Sequence, residues 1–401
     1  MTYRRYLHIL KLIPSYIWEI LNLLVFYKYA RNRYKDASIM LISERGSDAR
    51  DNAMHLFRYI RTVHSEIPLF FVIDKKSPDL ANVMPWGNIV YTRSMKHRLL
   101  FYGARVLIST HIMGGYATNQ SFYAHFNNHR WFRSGRKIIS IKHGITKDNL
   151  PMLYKENAGL DLLICGAKKE YDYVRQNFHY QNDEVQYTGF ARFDKLSEHK
   201  EINQILIMPT WRRGLRELTR AEFERSEYFV MWNRLLQRSR LHHLLEGEKL
   251  DLLFYPHHEI QPYISSFGSS HPRILIADRK NYDVQTLLMQ SKLLITDFSS
   301  VYFDFAYMLK PIIYYQFDKE SFFKTHYQKG YFDYETMGFG PVLSDPNEVI
   351  ETLEKISAQH FMPADIYERR MKEFFPVRDN NNCKRIYAAI RKVCERDRVE
   401  I

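Results

Sequence analysis

At 401 residues the chain is too long for one ordinary hydrophobic core and suits two domains of average size. Hydrophobic residues make up 45% of it and no low-complexity tract interrupts them, which excludes a disordered chain. Fifty-eight Lys and Arg against 45 Asp and Glu leave a formal net charge of +13, so the expected partners are anionic: nucleic acid, phosphorylated substrates or an acidic membrane face.

The basic excess begins at once. Residues 1–35 hold Arg4, Arg5, Lys11, Lys28, Arg31, Arg33 and Lys35 against one acid, Glu19, with Leu7, Ile9, Leu10, Leu12, Ile13, Ile17, Trp18 and residues 20–26 between them. Glu19 and Asn22 interrupt the apolar stretch, and the charge-free run from Ile20 to Tyr27 falls well short of the ~20 residues that span a bilayer. No small-residue cleavage site follows, which argues against a signal peptide. A basic amphipathic helix lying on an anionic membrane is one reading, and a helix packed on the protein's own core is the other. Cys165, Cys383 and Cys394 lack metal-ligand or CxxC spacing; they fit a reducing cytoplasm, and neither a metal nor a cofactor is expected.

From residue 36, apolar β-rich runs alternate with helical patterns: Ser38–Ile42, Leu69–Ile73, Arg105–Ser109, Lys137–Lys142 and Asp161–Ile164. After a polar stretch come Gln204–Met208, Asp251–Tyr255, Arg273–Ala277, Lys292–Thr296 and Pro311–Tyr315. Continuous apolar runs predict parallel strands buried on both faces. Ala53, Leu56, Phe57, Ile60 and Val63 form one helical stripe. The prediction is α/β: two Rossmann-like, doubly wound lobes over 36–195 and 196–401, behind the helical segment 1–35. A last helical pattern, Asn381–Val393, suits either lobe. Ligands of such sheets sit outside the carboxyl ends of the strands, here in the cleft between lobes.

Polar clusters follow several of these strands. His143-Gly144 ends Lys137–Lys142, where a glycine permits a tight turn and a histidine can act as a base near neutral pH. Ser299-Ser300 follows Lys292–Thr296 and is read as opening a helix with Val301, Phe305 and Leu309 on its buried side; paired hydroxyls at a helix start suit an anion. Arg212 and Arg213 follow Gln204–Met208, and arginine suits bidentate phosphate contact. His257 and His258 follow Asp251–Tyr255. Each alone is compatible with an ordinary turn, a helix cap or solvated surface; their common placement is what points to a site.

These residues lie in motifs that resemble the CDP-glycerol glycerophosphotransferase family, the teichoic acid primases and polymerases and their capsule-cluster relatives. The motifs are SERGSDARDNAMHLF (43–57), KHGITKDNLP (142–151), TGFARFD (188–194), MPTWR (208–212), YPHH (255–258), residues 283–318 and KGYFDYETMGFGPV (329–342). The resemblance implies a GT-B-type, two-lobed, membrane-associated transferase on the inner face of the cell membrane. Such an enzyme moves glycerol phosphate from CDP-glycerol to a hydroxyl of a lipid-linked or polysaccharide acceptor and releases CMP. It implies His143 as catalytic base, with Gly144, Ile145, Thr146 and Lys147 completing that loop. It implies Arg192, Thr210, Trp211, Tyr255, Pro256, His257, Ser299, Ser300 and Asp304 as holding the donor, His257 also aiding catalysis; Arg212 joins them on its strand-end placement. Two departures stand out: the loop reads HGIT where the polymerases commonly read HGTP, and His258 stands where the family commonly has proline. A CDP-ribitol transferase would keep the same motifs. A sugar-nucleotide glycosyltransferase would share the fold but release a nucleoside diphosphate. A nucleic-acid-binding protein would explain the charge but not the strand-end clusters, and no nucleic acid is expected.

Overall fold

The computed structural model describes residues 3–35, 37–112, 114–126, 135–181, 183–198, 200–269, 271–325 and 329–396, excepting the side chains of 3–11, 125, 126 and 325. The chain divides into two compact units: the first holds Met1–Ile145, Pro151–Asp194 and Asp379–Ile401, the second Thr146–Leu150 and Lys195–Arg378.

Among the described residues, the first unit's sheet has seven parallel strands: β1 (Met40–Ser43), β2 (Leu69–Ile73), β3 (Ile89–Tyr91), β4 (Val106–Ser109), β5 (Lys137–Ser140), β6 (Leu162–Cys165) and β7 (Val185–Tyr187). Their order is β3-β2-β1-β4-β5-β6-β7, so the winding reverses between β1 and β4. Every residue of β1, β4 and β6 is buried, as expected of strands covered on both faces. The register Ser43↔Ser109 and Ser109↔Ser140 brings the carboxyl ends of β1, β4 and β5 level.

Helix α1 (Tyr3–Arg33) packs on α3 (Met95–Gly103), and α2 (Asn52–Val63) packs on β1 and β2. Of the two polar residues that interrupt the apolar run of α1, Glu19 is its anchor, and Asn22 bonds the Trp18 carbonyl within the helix. Glu19 is buried and accepts hydrogen bonds from Tyr102 Oη (2.8 Å), Tyr123 Oη (3.1 Å) and Thr118 Oγ1. Three hydroxyl donors satisfy the carboxylate, which makes its burial tolerable. Ile17, Trp18, Leu24 and Val25 point outward instead, at 54%, 58%, 73% and 64% exposure. The helix therefore packs on its own unit and also presents an apolar face; Arg4, Arg5, Leu7, Ile9, Leu10 and Lys11 have side chains outside the described residues. No helix of the described residues is long and apolar enough to cross a membrane.

The second unit's sheet, again among the described residues, has six parallel strands: β8 (Gln204–Ile207), β9 (Asp251–Phe254), β10 (Ile274–Ile276), β11 (Leu293–Thr296), β12 (Ile312–Tyr315) and β13 (Val342–Leu343). Their order, β10-β9-β8-β11-β12-β13, repeats the pattern with a reversal between β8 and β11. In its core Trp232 packs edge-on against Tyr315 and tilted against Phe254.

Three expectations need correction. The C-terminal helix Asn382–Arg396 belongs to the first unit rather than to a 196–401 domain. Asp194 holds its start, accepting from the amides of Asn382 (2.8 Å) and Cys383 (2.9 Å). Val63 is 55% exposed and leaves the buried stripe of α2. The helix expected to open at Ser299 is only α4 (Tyr302–Tyr307), buried at all six residues, so Val301 and Leu309 fall outside it.

Candidate active site

In the first unit the groups gather beyond β1, β4 and β5, around the reversal point where such sheets bind ligands. Beyond β5 the chain turns at Lys142, whose φ of 45° lies in the left-handed region. That conformation is costly for a side-chain-bearing residue and persists only when its surroundings enforce it. Here they do: buried Lys142 pairs with buried Glu170, and its carbonyl accepts from Asn52 Nδ2 at 2.7 Å. The turn thus rests on Lys142, whereas the sequence pointed to Gly144, which is not among the positive-φ glycines.

His143 follows, with its loop tied down. Arg192 Nη1 donates to the His143 carbonyl (2.9 Å) and to Asp51 Oδ1 (2.9 Å), while the Arg192 amide donates to Asn52 Oδ1 (3.0 Å). The side chain of His143 is solvent-exposed, yet protein crowds the recess around it. Desolvation lowers its pKa below the usual imidazole value; Arg45 and Arg192 act in the same direction and Asp51 opposes them. The Thr110 backbone, like Asp51, acts against the lowering. The net lowering favours the neutral imidazole, the form with a nitrogen able to accept a proton.

Beside it lies His111, which follows β4. The two rings stack at 4.5 Å between centroids with 5° between planes. Arg45 Nε donates to His111 Nε2 (3.0 Å), and His111 Nδ1 lies 2.8 Å from Thr110 Oγ1. Glu44, at the end of β1, accepts from the amides of Arg50 (3.1 Å), Asp51 (2.7 Å) and Met54 (3.3 Å), bracing the start of α2. Burial and the neighbouring Asp51 push its carboxyl up to about 8 against the pull of those amides.

In the second unit a buried charge cluster latches the ends of β8, β11 and β12. Arg212 donates to Asp318 through Nε (2.7 Å) and Nη2 (2.9 Å), to Asp297 Oδ2 through Nη2 (2.8 Å), and to the Thr210 carbonyl through Nη1 (2.7 Å). Its guanidinium lies 4.9 Å from the Phe322 ring centroid and 5.2 Å from that of Phe298. Burial alone would lower its pKa, but Asp297 and Asp318 outweigh that and raise it. Arg212 is therefore not the phosphate fork that the sequence suggested. Its donors are spent on two carboxylates, and it acts as a brace.

The groups that the brace supports stand around it. Asp297 Oδ1 accepts from the amides of Thr210 (2.8 Å) and Phe298 (2.6 Å). Among the described residues, Thr210 Oγ1 has no partner. Ser299 is half-buried and Ser300 exposed, in the turn before α4, and no side chain caps that helix. Asp304 is buried within α4. Tyr255 and Pro256 are buried at the end of β9, and His257 stacks near Trp211 with 6.1 Å between ring centroids. His257 Nδ1 accepts from the Glu259 amide (3.3 Å), so the neutral ring carries its proton on Nε2 and is a donor there. His258 is more exposed, with Nε2 3.6 Å from Glu259. Thr146 and Lys147 also belong to this unit; Lys147 is nearly buried, pairs with Asp148 (2.9 Å) and lies over the Tyr334 ring.

The first unit thus brings His143, Gly144, Ile145 and Arg192 together, and the second holds the remaining expected residues. His111, Arg45, Asp297 and Asp318 were missed as site residues. Thr110-His111 satisfies the same strand-end rule that found His143, and applying it at β4 would have found the pair.

Two doubly wound parallel α/β units, each with its polar groups beyond the strand ends at the reversal point, define the GT-B class of architecture. Residues 23–392 match the model of the CDP-Glycerol:Poly(glycerophosphate) glycerophosphotransferase family, and the chain belongs to that family. It is 35% identical over 366 residues to the minor teichoic acid biosynthesis protein GgaB of Bacillus subtilis, covering 88% of this chain and 39% of that protein. It is 24% identical over 349 residues to the teichoic acid glycerol-phosphate transferase of Staphylococcus aureus, covering 78% of this chain and 82% of that one. The chain thus spans well under half the length of GgaB. In fold it is similar to the wall teichoic acid polymerase TagF, with a TM-score of 0.68 at 16% identity over 99% of this chain and all of that one. A UDP complex of S. aureus MnaA matches at a TM-score of 0.55 and 12% identity, over 89% of this chain and 96% of that one.

Proposed function

We propose that this chain transfers glycerol phosphate from CDP-glycerol to a hydroxyl of a teichoic-acid-like or capsular acceptor, either lipid-linked or polysaccharide, and releases CMP. The observation that carries this reading is His143: a strand-end imidazole stacked on His111, with burial favouring its neutral form, in a chain of the glycerophosphotransferase family. The acceptor oxygen attacks the glycerol-bearing β-phosphorus. An O–P bond forms, the bridging P–O bond to CMP breaks, and the hydroxyl proton passes to His143. Such transfer is chiefly positioning and stabilisation of charge on the phosphoryl oxygens.

The donor falls to the second unit. His257, Ser299 and Ser300 are its candidate ligands, the serine hydroxyls not spent on capping α4, and Thr210 offers an unpaired hydroxyl. Such donors stabilise charge without a metal. Arg192 supports the reaction by holding the His143 loop. The outward apolar face of α1 with the exposed Lys28 and Arg33 supports peripheral attachment to an anionic membrane on its cytoplasmic face. The test is incubation of the full chain with CDP-glycerol, CDP-ribitol and a membrane extract. CMP should appear with the first donor, and the product mass should rise by glycerol phosphate; CMP from CDP-ribitol alone would reassign the donor.

A further inference from the structure

We propose that His111 is a positioning residue for His143: its ring is the fixed shelf that holds the stacked His143 imidazole in one orientation. This rests on the reading of His143 as the base. The shelf is well fixed. Arg45 Nε donates to one ring nitrogen of His111 and Thr110 Oγ1 engages the other, so both are occupied and neither is left for substrate. With Nε2 accepting from an arginine, the neutral ring carries its proton on Nδ1 and gives it to Thr110. Thr110 thus engages the shelf through its hydroxyl, while its backbone acts on the titration of His143.

The loops that carry these groups cannot drift apart freely. A Cβ on Gly115 would lie 2.3 Å from the Glu44 carbonyl and 2.5 Å from the Gly46 amide, so the loop after β4 is seated directly on the loop after β1. Near-parallel rings 4.5 Å apart leave His143 little freedom to tilt. The charged and titratable groups facing the pair are Arg45 beyond β1, Asp51 at the start of α2 and Arg192 after β7. Burial first, then His143 and Arg45, hold His111 down to about 3, so it does not compete with His143 for a proton near neutrality.

The experiment uses the full chain labelled with ¹⁵N-histidine, comparing the parent with His111→Ala, His111→Phe and Arg45→Met. Two readouts are taken: the ring tautomer and titration of His143 by NMR, and CMP release from CDP-glycerol with membrane extract as acceptor probe. His111→Ala should lower kcat by about 10- to 100-fold, the scale of a misplaced catalytic group. Donor KM should stay within about twofold, because ground-state donor binding is untouched. His143 should then show both tautomers and a shifted titration, while His111→Phe, which keeps a flat ring, recovers most of the rate.

A single unshifted His143 tautomer with parental kcat in His111→Ala overturns the proposal. So does a His111→Phe protein as slow as His111→Ala with the His143 tautomer preserved, since a nitrogen of His111 would then act in the chemistry itself. Should His111→Ala not fold, Arg45→Met at an exposed arginine decides: His143 signals should broaden toward mixed tautomers, and unchanged signals refute the shelf. If the parent releases no CMP, the transferase reading fails, while the NMR comparison still decides what His111 does to His143.

Discussion

Replacing Arg212 with Met tests whether the second unit's strand ends depend on the buried charge cluster. Methionine keeps much of the length and the contact with Phe298 and Phe322 but removes every N–H. Asp297, fully buried at its side chain, would keep the Thr210 and Phe298 amides on Oδ1 and lose its bond on Oδ2. Asp318, 9% exposed, would lose both of its bonds to Arg212. Leaving buried carboxylates without their cation costs about 3–5 kcal/mol. For a unit of this size that corresponds to a melting temperature lower by roughly 6–20 °C. Protonation relieves an unpaired buried carboxylate, so the deficit should shrink as pH falls. Adding Asp297→Asn to Arg212→Met should recover part of it, as expected of coupled neighbours. Differential scanning calorimetry at two pH values measures both effects. A variant melting within about 2 °C of the parent at pH 7 would refute the cluster as a brace, because that shift corresponds to less than about 1 kcal/mol.

Three further outcomes follow from the same geometry. Ser299→Ala with Ser300→Ala should raise the donor KM by about tenfold or more, at ~1.5–3 kcal/mol per hydrogen bond to a charged group. Because neither serine caps α4, the melting temperature should hold, and a fall in melting temperature without a KM change would make them structural. Trp18→Gln with Leu24→Gln and Val25→Gln should weaken binding to anionic vesicles by at least about tenfold, since each buried apolar side chain contributes ~1.5–3 kcal/mol. Unchanged vesicle binding would show that this face does not meet the membrane. The acid limb of kcat/KM should lie below the ordinary imidazole value of 6.5, because lowering the pKa of His143 keeps it neutral further into acid. Asp51→Asn, which removes the group opposing that shift, should move the limb lower still; a move upward contradicts the assignment.

The sheets were legible because their central strands are continuous apolar runs, and β2 falls on Leu69–Ile73 as the pattern indicated. Edge strands β3, β7 and β13 were not, since two or three half-covered residues leave no run to see. Glu19 and Asn22 looked like flaws in an apolar helix because a linear pattern does not reveal which face is inward; both are buried, while Trp18, Leu24 and Val25 face out. Arg212 looked like a phosphate ligand because its countercharges, Asp297 and Asp318, lie 85 and 106 residues away. His143 was visible through its strand, its glycine and its family motif. The left-handed turn at Lys142 that aims it was not, since it rests on Glu170 and Asn52, which no local spacing links to it.

The most direct test of the proposed chemistry is CMP release from CDP-glycerol by the parent chain and by His143→Asn, with donor binding measured alongside by calorimetry. Asparagine keeps a polar group of similar reach but offers no useful base. The variant should therefore bind CDP-glycerol nearly as the parent does, while kcat falls by about 100-fold or more. A His143→Asn protein that releases CMP at close to the parental rate would remove His143 from the reaction and send the search for the base to Asp148, on the same loop.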